Sequence, residues 1–283
     1  MAIQQEKWSQ EIGAKHNLFS LNLKEVWAYK DLVYMLVKRD FVTSFKQTIL
    51  GPLWFFINPI FTTVMYVIVF GNIANLSTDG APQMAFYLAG VTLWNYFSSC
   101  LNKTSNVFRG NASIFGKVYF PRLVMPLAIV TSNLMQFVVQ FILFICVIGY
   151  YYFFQGNVQP NIWVLATPFL ILLMAAFAMG TGMIFSSMTT KYKDLSMLLS
   201  FGVSLYMYVT PVVYPISSIP EKFRWIADFN PLTGIFECFK YAYLGVGDFN
   251  IGMLIYSTVF IFFVLLIGTV IFNKVEKSFM DTV

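Results

Sequence analysis

Residues 38–59 read KRDFVTSFKQTILGPLWFFINP, and within them a charged, amphipathic segment gives way to a long apolar run. Four charged residues lie from Lys38 to Lys46, and the sequence LGP at positions 50–52 separates them from the apolar residues. Basic residues beside an apolar stretch anchor it at the surface of a membrane. The stretch therefore predicts the point at which the chain enters the hydrocarbon layer.

The composition of the whole chain excludes a soluble globular domain. Hydrophobic residues make up 58% of the sequence and charged residues 11%, whereas about 25% of the residues in a typical soluble domain are charged. We therefore expect an all-α integral membrane protein. Its 31 Phe and 16 Tyr residues exceed what contact with lipid requires. They could line a path through the protein or form aromatic belts at the two membrane surfaces.

Six apolar stretches are long enough to cross about 30 Å of hydrocarbon as helices. They lie near residues 53–70, 84–101, 127–154, 162–188, 195–214 and 251–272. Pro59, Pro168 and Pro211 fall within three of these spans and are expected to kink them. The chain thus divides into a tail with an interface helix, residues 1–50, and a transmembrane domain, residues 51–283.

The N-terminal region consists of a polar tail and a segment with helical periodicity. From Asn22 onward, apolar residues recur at helical spacing, while Lys24, Asp31 and Lys38 recur every seven residues on another face. The pattern predicts an amphipathic helix that lies in the membrane interface. A juxtamembrane anchor without a partner is the alternative. The polar tail has no long apolar core, which argues against a cleaved signal peptide.

The distribution of Lys and Arg predicts the orientation of the chain. Basic residues concentrate in the N-terminal segment, in the loops after the second and fourth spans, and in the C-terminal tail, whereas residues 71–83 and 155–161 contain none. Between the fifth and sixth spans there are three, Lys222, Arg224 and Lys240. Because basic residues favour the cytoplasmic side, we expect both termini in the cytoplasm.

Residues 216–245, between the fifth and sixth spans, are rich in aromatic side chains but also carry charges. Pro220 and Pro231 are suited to opening short helices and Gly245 to closing one. We therefore predict a pair of short helices that re-enter the outer half of the protein, where broken helices persist only when they are buried or line a cavity. An amphipathic loop resting on the outer surface is the alternative.

The predicted spans contain few ionisable side chains that could take part in proton or ion transport. Residues 123–190 contain no Asp, Glu, Lys or Arg, although proton-driven carriers and ion pumps usually need ionisable groups within the membrane. Glu237 and Lys240 are the nearest candidates, and one helical turn separates them, so they could simply pair with each other. These observations argue against a secondary transporter.

No catalytic, nucleotide or metal motif is recognisable, so the chain is not expected to be an enzyme. The segment GNASIFGKV at residues 110–118 has five residues where the phosphate-binding loop has four, and it lacks the Ser or Thr that holds magnesium. The three cysteines show no paired spacing, so neither a disulfide framework nor a metal site is indicated. We expect no metal, no cofactor in this chain and no nucleic-acid partner.

The order of several motifs resembles the permease subunit of ABC-2 type polysaccharide exporters, the family that includes O-antigen, capsule and teichoic acid export permeases. The resemblance covers about residues 22–272. The motifs that carry it are LGPLWFFINP at 50–59, KVYFPRLVMP at 117–126, KYKDLSMLL at 191–199, TPVVYPISSIP at 210–220 and NPLTGIFECFKYAYLG at 230–245.

The resemblance implies a homodimer that works with two copies of a separate ABC ATPase, on which ATP and magnesium would bind. Its cargo would be a polysaccharide linked to undecaprenyl diphosphate, moved out across the bacterial inner membrane. An ABC-2 permease for another lipid or a drug is the alternative within the family. An ATP-independent channel or carrier is the alternative outside it.

The resemblance also implies roles for particular residues. The turn at Leu50 and Gly51 matches the family's cytoplasmic loading site for the lipid pyrophosphate, where Arg39 and Lys46 would supply charge-assisted donors. The element that couples to the ATPase would include Lys24, Lys117, Phe120, Pro121 and Arg122. The outer gate would include Pro220, Asn230, Pro231 and Glu237. The basic loop at 103–122 could equally face anionic lipid.

Passage of a glycan gives a physical reason for the many aromatic residues. Sugars present apolar C–H faces, and an aromatic wall contacts them without strong hydrogen bonds that would hold each unit in place. As a hypothesis, the path residues are Tyr66, Trp94, Tyr96, Tyr206, Tyr208 and Tyr214. Each of these side chains could instead belong to ordinary packing or to an aromatic belt.

Overall fold

The computed structural model describes residues 23–46, 48–115 and 120–280, and in these ranges the regular structure is entirely helical. Two short helices form the N-terminal region, α1 (Leu23–Ala28) and α2 (Lys30–Phe45). The others are α3 (Trp54–Tyr66), α4 (Gln83–Ser105), α5 (Val107–Gly110), α6 (Ala112–Phe115), α7 (Val124–Tyr150), α8 (Thr167–Thr189), α9 (Leu195–Val209), α10 (Glu221–Phe229), α11 (Thr233–Leu244) and α12 (Ile251–Met280).

Shorter helical turns extend several of these helices. A 3-10 turn at Gly51–Leu53 precedes α3, and a π-helical turn at Val67–Ile73 follows it. A second π-helical turn, Tyr151–Gln155, ends α7, and a 3-10 turn at Ile162–Ala166 opens α8. The third 3-10 turn, Ile216–Ser218, lies between α9 and α10.

Among the residues that the structure describes, four helical segments are long and apolar enough to cross a membrane. They are Gly51–Ile73, Val124–Gln155, Ile162–Thr189 and Ile251–Val275, and they match the first, third, fourth and sixth predicted spans to within a few residues. The segment predicted as the second span, α4, is long enough but less apolar. The fifth, α9, is apolar but has only 15 residues.

The position of α4 explains its lower hydropathy. Helices α3, α7, α8, α9 and α11 all contact it, and most of its 23 residues are buried. Neighbouring protein, and not lipid, surrounds this helix, so polar side chains such as Asn95 and Thr92 are tolerated along it. It is the central helix of the bundle.

Small residues bring helices close together at two points on α8. A Cβ atom at Gly268 of α12 would meet the carbonyl oxygen of Gly180, and a Cβ atom at Gly182 would lie 2.6 Å from Thr104 Cβ of α4. Close approach of helix backbones at small residues is the usual means of packing helices in a membrane. Helices α4, α8 and α12 therefore form a tightly packed group.

Of the three prolines that were predicted to kink spans, only Pro59 lies in the interior of an α-helix. Pro59 lies inside α3, but Pro168 occupies the first turn of α8 and Pro211 follows the end of α9 at Val209. Proline is accepted in the first turn of a helix, where its missing N–H has no intrahelical partner, and it disfavours helix in the residue before it. Pro211 therefore lies beyond the end of its helix, and the prediction that it kinks a span is wrong. Pro168 lies inside the helical segment Ile162–Thr189, where a 3-10 turn meets α8, and a kink at this position stays a prediction.

The segments predicted to share a side of the membrane lie together in the structure. At one end, Val26 and Val37 from the N-terminal helices pack with Phe108, Phe120 and Phe272 in what we call the basal cluster. At the other end, the Asn161 side chain donates a hydrogen bond to Tyr241 O (2.8 Å), and Ser217 donates one to Asp79 (2.7 Å). The grouping fits the charge distribution of the sequence.

Candidate functional site

The chain between α9 and α12 folds into two short helices, as the sequence predicted. Helix α10 follows Pro220, and α11 begins shortly after Asn230 and Pro231. Gly245 ends α11 with a φ of +73°, in the left-handed region that favours glycine. Helix α11 is buried along almost its whole length, whereas α10 is largely exposed.

Asn230 fastens the turn between these two helices to the last turn of α9. The Tyr206 hydroxyl donates to Asn230 Oδ1 (2.6 Å), and Asn230 Nδ2 donates to Thr210 Oγ1 (2.9 Å). The backbone N–H of Leu232 also donates to Asn230 Oδ1 (2.9 Å). Both ends of the amide are thus satisfied in a buried position, which stabilises one arrangement of the turn.

Lys240 makes a second connection between α11 and the segment that follows α9. Its Nζ atom donates to the carbonyl oxygens of Pro211 (2.6 Å) and Tyr214 (3.3 Å) and lies 4.1 Å from the centre of the Phe86 ring on α4. These two carbonyl groups belong to the non-helical chain beyond the end of α9, so no helical N–H reaches them. We call the contacts made by Asn230 and Lys240 the outer clasp.

Glu237 provides the negative charge beside Lys240. Its Oε1 atom lies 3.6 Å from Lys240 Nζ, and both side chains are 1% exposed. Neither oxygen of Glu237 has a hydrogen-bond partner of conventional geometry within the described ranges, so Lys240 and the nearby backbone of Asp248 compensate the carboxylate. Burial raises the pKa of Glu237 and lowers that of Lys240, and each charge opposes the shift of the other. The predicted pairing is confirmed.

A cavity of about 420 Å³ lies between the end of α9 and α10. Tyr208, Tyr214, Phe223 and Ile226 are among the residues that line it, and the Tyr214 hydroxyl donates to the carbonyl oxygen of Tyr208 (2.9 Å). The structure therefore brings together two of the proposed path residues. The sequence reasoning missed Phe223 and Ile226, although their spacing of three within a short helix was the available signal.

Three further path residues group beside α9. The Trp94 and Tyr206 ring centres are 6.0 Å apart, and the Tyr66 hydroxyl lies 3.5 Å from Met207 Sδ. Tyr96 does not belong to this group. It lies two residues after Trp94 in α4, and a shift of two residues along a helix places a side chain on nearly the opposite face. The Tyr96 ring packs 5.3 Å from Phe137 of α7 and is 3% exposed.

The loading site predicted at the beginning of the first span contains a charge pair as well as a turn. Arg39 contacts Asp40 at 2.7 Å, while Lys46 follows α2 and is exposed. Gly51 has a φ of +53°, and no atom lies within 4 Å of a Cβ built on it. Backbone conformation, and not lack of space, is therefore what requires glycine here. Leu50 beside it is partly exposed.

The proposed coupling residues fall in and around the basal cluster. Arg122 is 5% exposed, and its guanidinium carbon lies 5.3 Å from the Phe115 ring centre. Phe120 is also buried, and Pro121 is partly exposed. Lys24 lies in α1, and Lys117 lies outside the described residues. Arg122 therefore anchors the loop within this chain, whereas contact with an ATPase stays a prediction.

In the part of the chain that the structure describes, no group of three or more His, Cys, Asp or Glu side chains could hold a metal ion. At the outer end, Lys240 and Glu237 are engaged with each other, and Arg224 pairs with Asp248 on the surface at 3.2 Å. The arrangement holds the end of α9 against α11 and the turn before it, and it presents aromatic side chains suited to weak contact.

Comparison with known proteins identifies relatives along nearly the whole chain. A family profile described as ABC-2 type transporter matches residues 31–244. Two O-antigen export system permease proteins of Klebsiella pneumoniae are each 30% identical to this chain, one over 93% of this chain and 99% of the relative, the other over 89% and 94%. A polysialic acid transport protein of Escherichia coli is 24% identical over 89% of this chain and 96% of its own length.

Proposed function

The chain belongs to the ABC-2 type transporter family, and from this premise we propose that it is the permease subunit of an ATP-driven exporter of lipid-linked polysaccharide. The observation that carries the proposal is the nearly full-length similarity to two O-antigen export permeases. The resemblance seen in the motifs of the sequence is thereby confirmed. The protein is a multi-pass membrane protein and not an enzyme of its own.

The proposed topology has six spans, formed by α3, α4, α7, α8, α9 and α12, with both termini in the cytoplasm of a bacterium and the spans in its inner membrane. Helices α10 and α11 re-enter from the outer side. The burial of α11 and its attachment to α4 and α9 support this arrangement, because a broken helix at membrane depth needs protein contacts for its backbone.

We propose a homodimer with two copies of a separate ABC ATPase, which binds ATP and magnesium. Only Val203 and Met207 of α9 are buried within the chain, so the helix offers a broad apolar surface to a second subunit or to lipid. Packing of the N-terminal helices and the loop after α4 in the basal cluster supports a common surface for the ATPase. Lys24, Lys117, Phe120, Pro121 and Arg122 would form or support that surface.

The proposed route of the substrate runs from the cytoplasmic loading site to the outer clasp. Arg39, Lys46, Leu50 and Gly51 receive the undecaprenyl diphosphate. The glycan then passes five aromatic side chains near α9, namely Tyr66, Trp94, Tyr206, Tyr208 and Tyr214, while Tyr96 would contribute from the face of α4 that packs against α7. The outer gate comprises Pro220, Asn230, Pro231 and Glu237. Contact with several rings in succession binds each sugar weakly, which suits movement of a long chain.

Deletion of this chain from its host tests the function directly. We expect lipid-linked glycan to accumulate in the cytoplasm and to disappear from the cell surface, and the wild-type chain supplied in trans to restore it. Unchanged surface glycan would exclude the substrate class and leave an ABC-2 permease for another lipid or a drug. Purification of the chain without any associated ATPase would favour an ATP-independent carrier.

A double variant tests the aromatic path. Tyr208→Ala with Tyr214→Ala removes two rings from the 420 Å³ cavity and should reduce surface glycan while the protein remains in the membrane at normal levels. Tyr152→Ala is the matched control, because Tyr152 is exposed at the end of α7 and lines no part of that cavity. Equal export by the two variants would remove this cavity from the route.

A further inference from the structure

Lys103 occupies the last turn of the central helix α4, at the end of the molecule that holds the loading site. Its Nζ atom donates to Asn133 Oδ1 of α7 at 2.9 Å. Asn133 is 1% exposed, and its Nδ2 atom donates to the carbonyl oxygen of Ile129 at 2.7 Å. The second bond fixes which way the amide faces, so a buried oxygen holds the ammonium group of Lys103 in place.

The same part of α7 lies against α2, which carries the loading-site residue Arg39. Gln136, one turn beyond Asn133, donates a hydrogen bond to Ser44 Oγ of α2 at 3.3 Å. Asp40 of α2 attracts the Lys103 ammonium group electrostatically. Lys103 and α2 therefore lie against the same part of α7, although Lys103 is more than 60 residues away from Arg39 and Asp40 in the sequence.

The charge of Lys103 is positioned but not neutralised. In the described ranges no carboxylate lies within 4.0 Å of it, whereas Arg39 contacts Asp40 at 2.7 Å. An ammonium group has three donors, and Asn133 uses one. The side chain of Lys103 is exposed over part of its length, and its ammonium end is partly buried where it meets α7, so a ligand at the cytoplasmic end would reach the remaining donors from the open side.

We infer that Lys103 is a third cation of the loading site and binds the diphosphate of the lipid carrier together with Arg39 and Lys46. The inference rests on the proposed function and adds a residue from the central helix to it. A diphosphate carries its charge on several oxygen atoms, and each bond to an ammonium or guanidinium group is charge-assisted. Binding at Lys103 also places the diphosphate against α4, around which the other spans pack.

Asp40 acts in this arrangement as a competitor of the diphosphate. Its carboxylate contacts Arg39 at 2.7 Å and attracts Lys103 from a greater distance, so an arriving anion must displace it from Arg39 and is repelled by it near Lys103. Replacing Asp40 with Asn keeps the size of the side chain and removes the charge. The variant D40N should therefore bind a diphosphate more tightly than the wild type, a gain that damage to the fold cannot produce.

The test measures equilibrium binding of radiolabelled undecaprenyl diphosphate to the full chain in nanodiscs of zwitterionic lipid, with undecaprenol as the uncharged reference. A hydrogen bond to a charged group contributes about 1.5–3 kcal/mol, so Lys103→Met should raise the Kd by about 10- to 150-fold. Lys103→Arg should stay within about threefold of the wild type, since it keeps the charge. Asp40→Asn should lower the Kd by about threefold or more.

Lys274→Met is the matched control, because Lys274 is an exposed lysine at the same end of the molecule, just beyond Phe272 of the basal cluster, and it should leave the Kd unchanged. The inference is overturned if Lys103→Met binds like the wild type while the wild type still prefers the diphosphate to undecaprenol; the proposed function then stands. The inference is also overturned if Lys103→Arg binds the diphosphate less tightly than the wild type and Asp40→Asn binds it no more tightly, because Lys103 would then have only a structural role. A wild type that does not distinguish diphosphate from undecaprenol overturns the lipid-diphosphate substrate and the inference together.

Discussion

Replacement of Lys240 with Met removes the ammonium group of the outer clasp and keeps a side chain of similar length. The carbonyl oxygens of Pro211 and Tyr214 lose their donor, and Glu237 loses a cation 3.6 Å away in a position that is 1% exposed. Removal of one partner from a buried ion pair costs about 3–5 kcal/mol, because the other charge is left uncompensated. We expect Lys240→Met to lower the free energy of unfolding by this amount.

Replacement of Glu237, the other partner of the ion pair, should lower the free energy of unfolding by less than replacement of Lys240. In Glu237→Gln, Lys240 keeps its two carbonyl partners and its position 4.1 Å from the Phe86 ring centre. Its charge therefore stays partly compensated, and the loss should be smaller than in Lys240→Met. The double variant should lose less than the sum of the single losses, with a coupling free energy of about 1–3 kcal/mol.

The deficit of Lys240→Met should also depend on pH. Burial raises the pKa of Glu237, and without Lys240 only the backbone of Asp248 still opposes this shift. A carboxyl group with a raised pKa stabilises the fold below its pKa in the unfolded chain, and this stabilisation is lost as the pH rises through its pKa in the folded chain. Acidification should therefore reduce the deficit, and alkaline conditions should increase it.

Sodium dodecyl sulfate titration in mixed micelles, followed by circular dichroism, measures these free energies. Lys222→Met is the control, because Lys222 is an exposed lysine on the neighbouring helix α10 and should change stability by less than about 0.5 kcal/mol. A Glu237→Gln loss equal to that of Lys240→Met, or strict additivity in the double variant, would refute the clasp as described.

Other expectations follow from individual positions. Arg122→Leu should lower the melting temperature, since the guanidinium packs over buried rings, whereas Lys117→Glu should reduce copurification of the ATPase at unchanged melting temperature. Gly268→Ala should cost about 1–3 kcal/mol through overpacking, while Gly149→Ala, with no atom within 4 Å of the new Cβ, should be neutral or slightly stabilising in a detergent melt. Gly51→Ala should weaken diphosphate binding because of its φ of +53°, and Gly51→Asn should retain more of it.

The sequence was sufficient for the four spans that form long apolar helices among the described residues, because apolar length is a local property. The fifth span shows where this reasoning ends: it was predicted to run to Tyr214, but α9 ends at Val209. Val212 and Val213 continue the apolar run and are buried in non-helical chain, at 0% and 2% exposure. Hydropathy cannot distinguish a side chain that faces lipid from one that is buried in a protein core.

In the candidate site, a contact within one helix could be predicted from the sequence, whereas contacts between distant segments could not. The pairing of Glu237 with Lys240 follows from their spacing on one helix, and it was predicted. The bonds from Lys240 to Pro211 and Tyr214, and the bond from Lys103 to Asn133, join residues about 30 positions apart in the sequence. Only the folded structure brings such groups together. From the sequence alone, Lys103 could be described only as one basic residue of a predicted cytoplasmic loop.

The burial of α4 on nearly every side has a consequence for the synthesis of the protein. This helix leaves the ribosome before α7 and α8, the helices it packs against most extensively. Because it is not among the segments apolar enough to partition into lipid without help, its residence in the bilayer at that moment is only weakly favoured. Stable insertion of α4 therefore depends on later helices, and a truncated chain that ends soon after Ser105 should expose this segment to extraction and proteolysis.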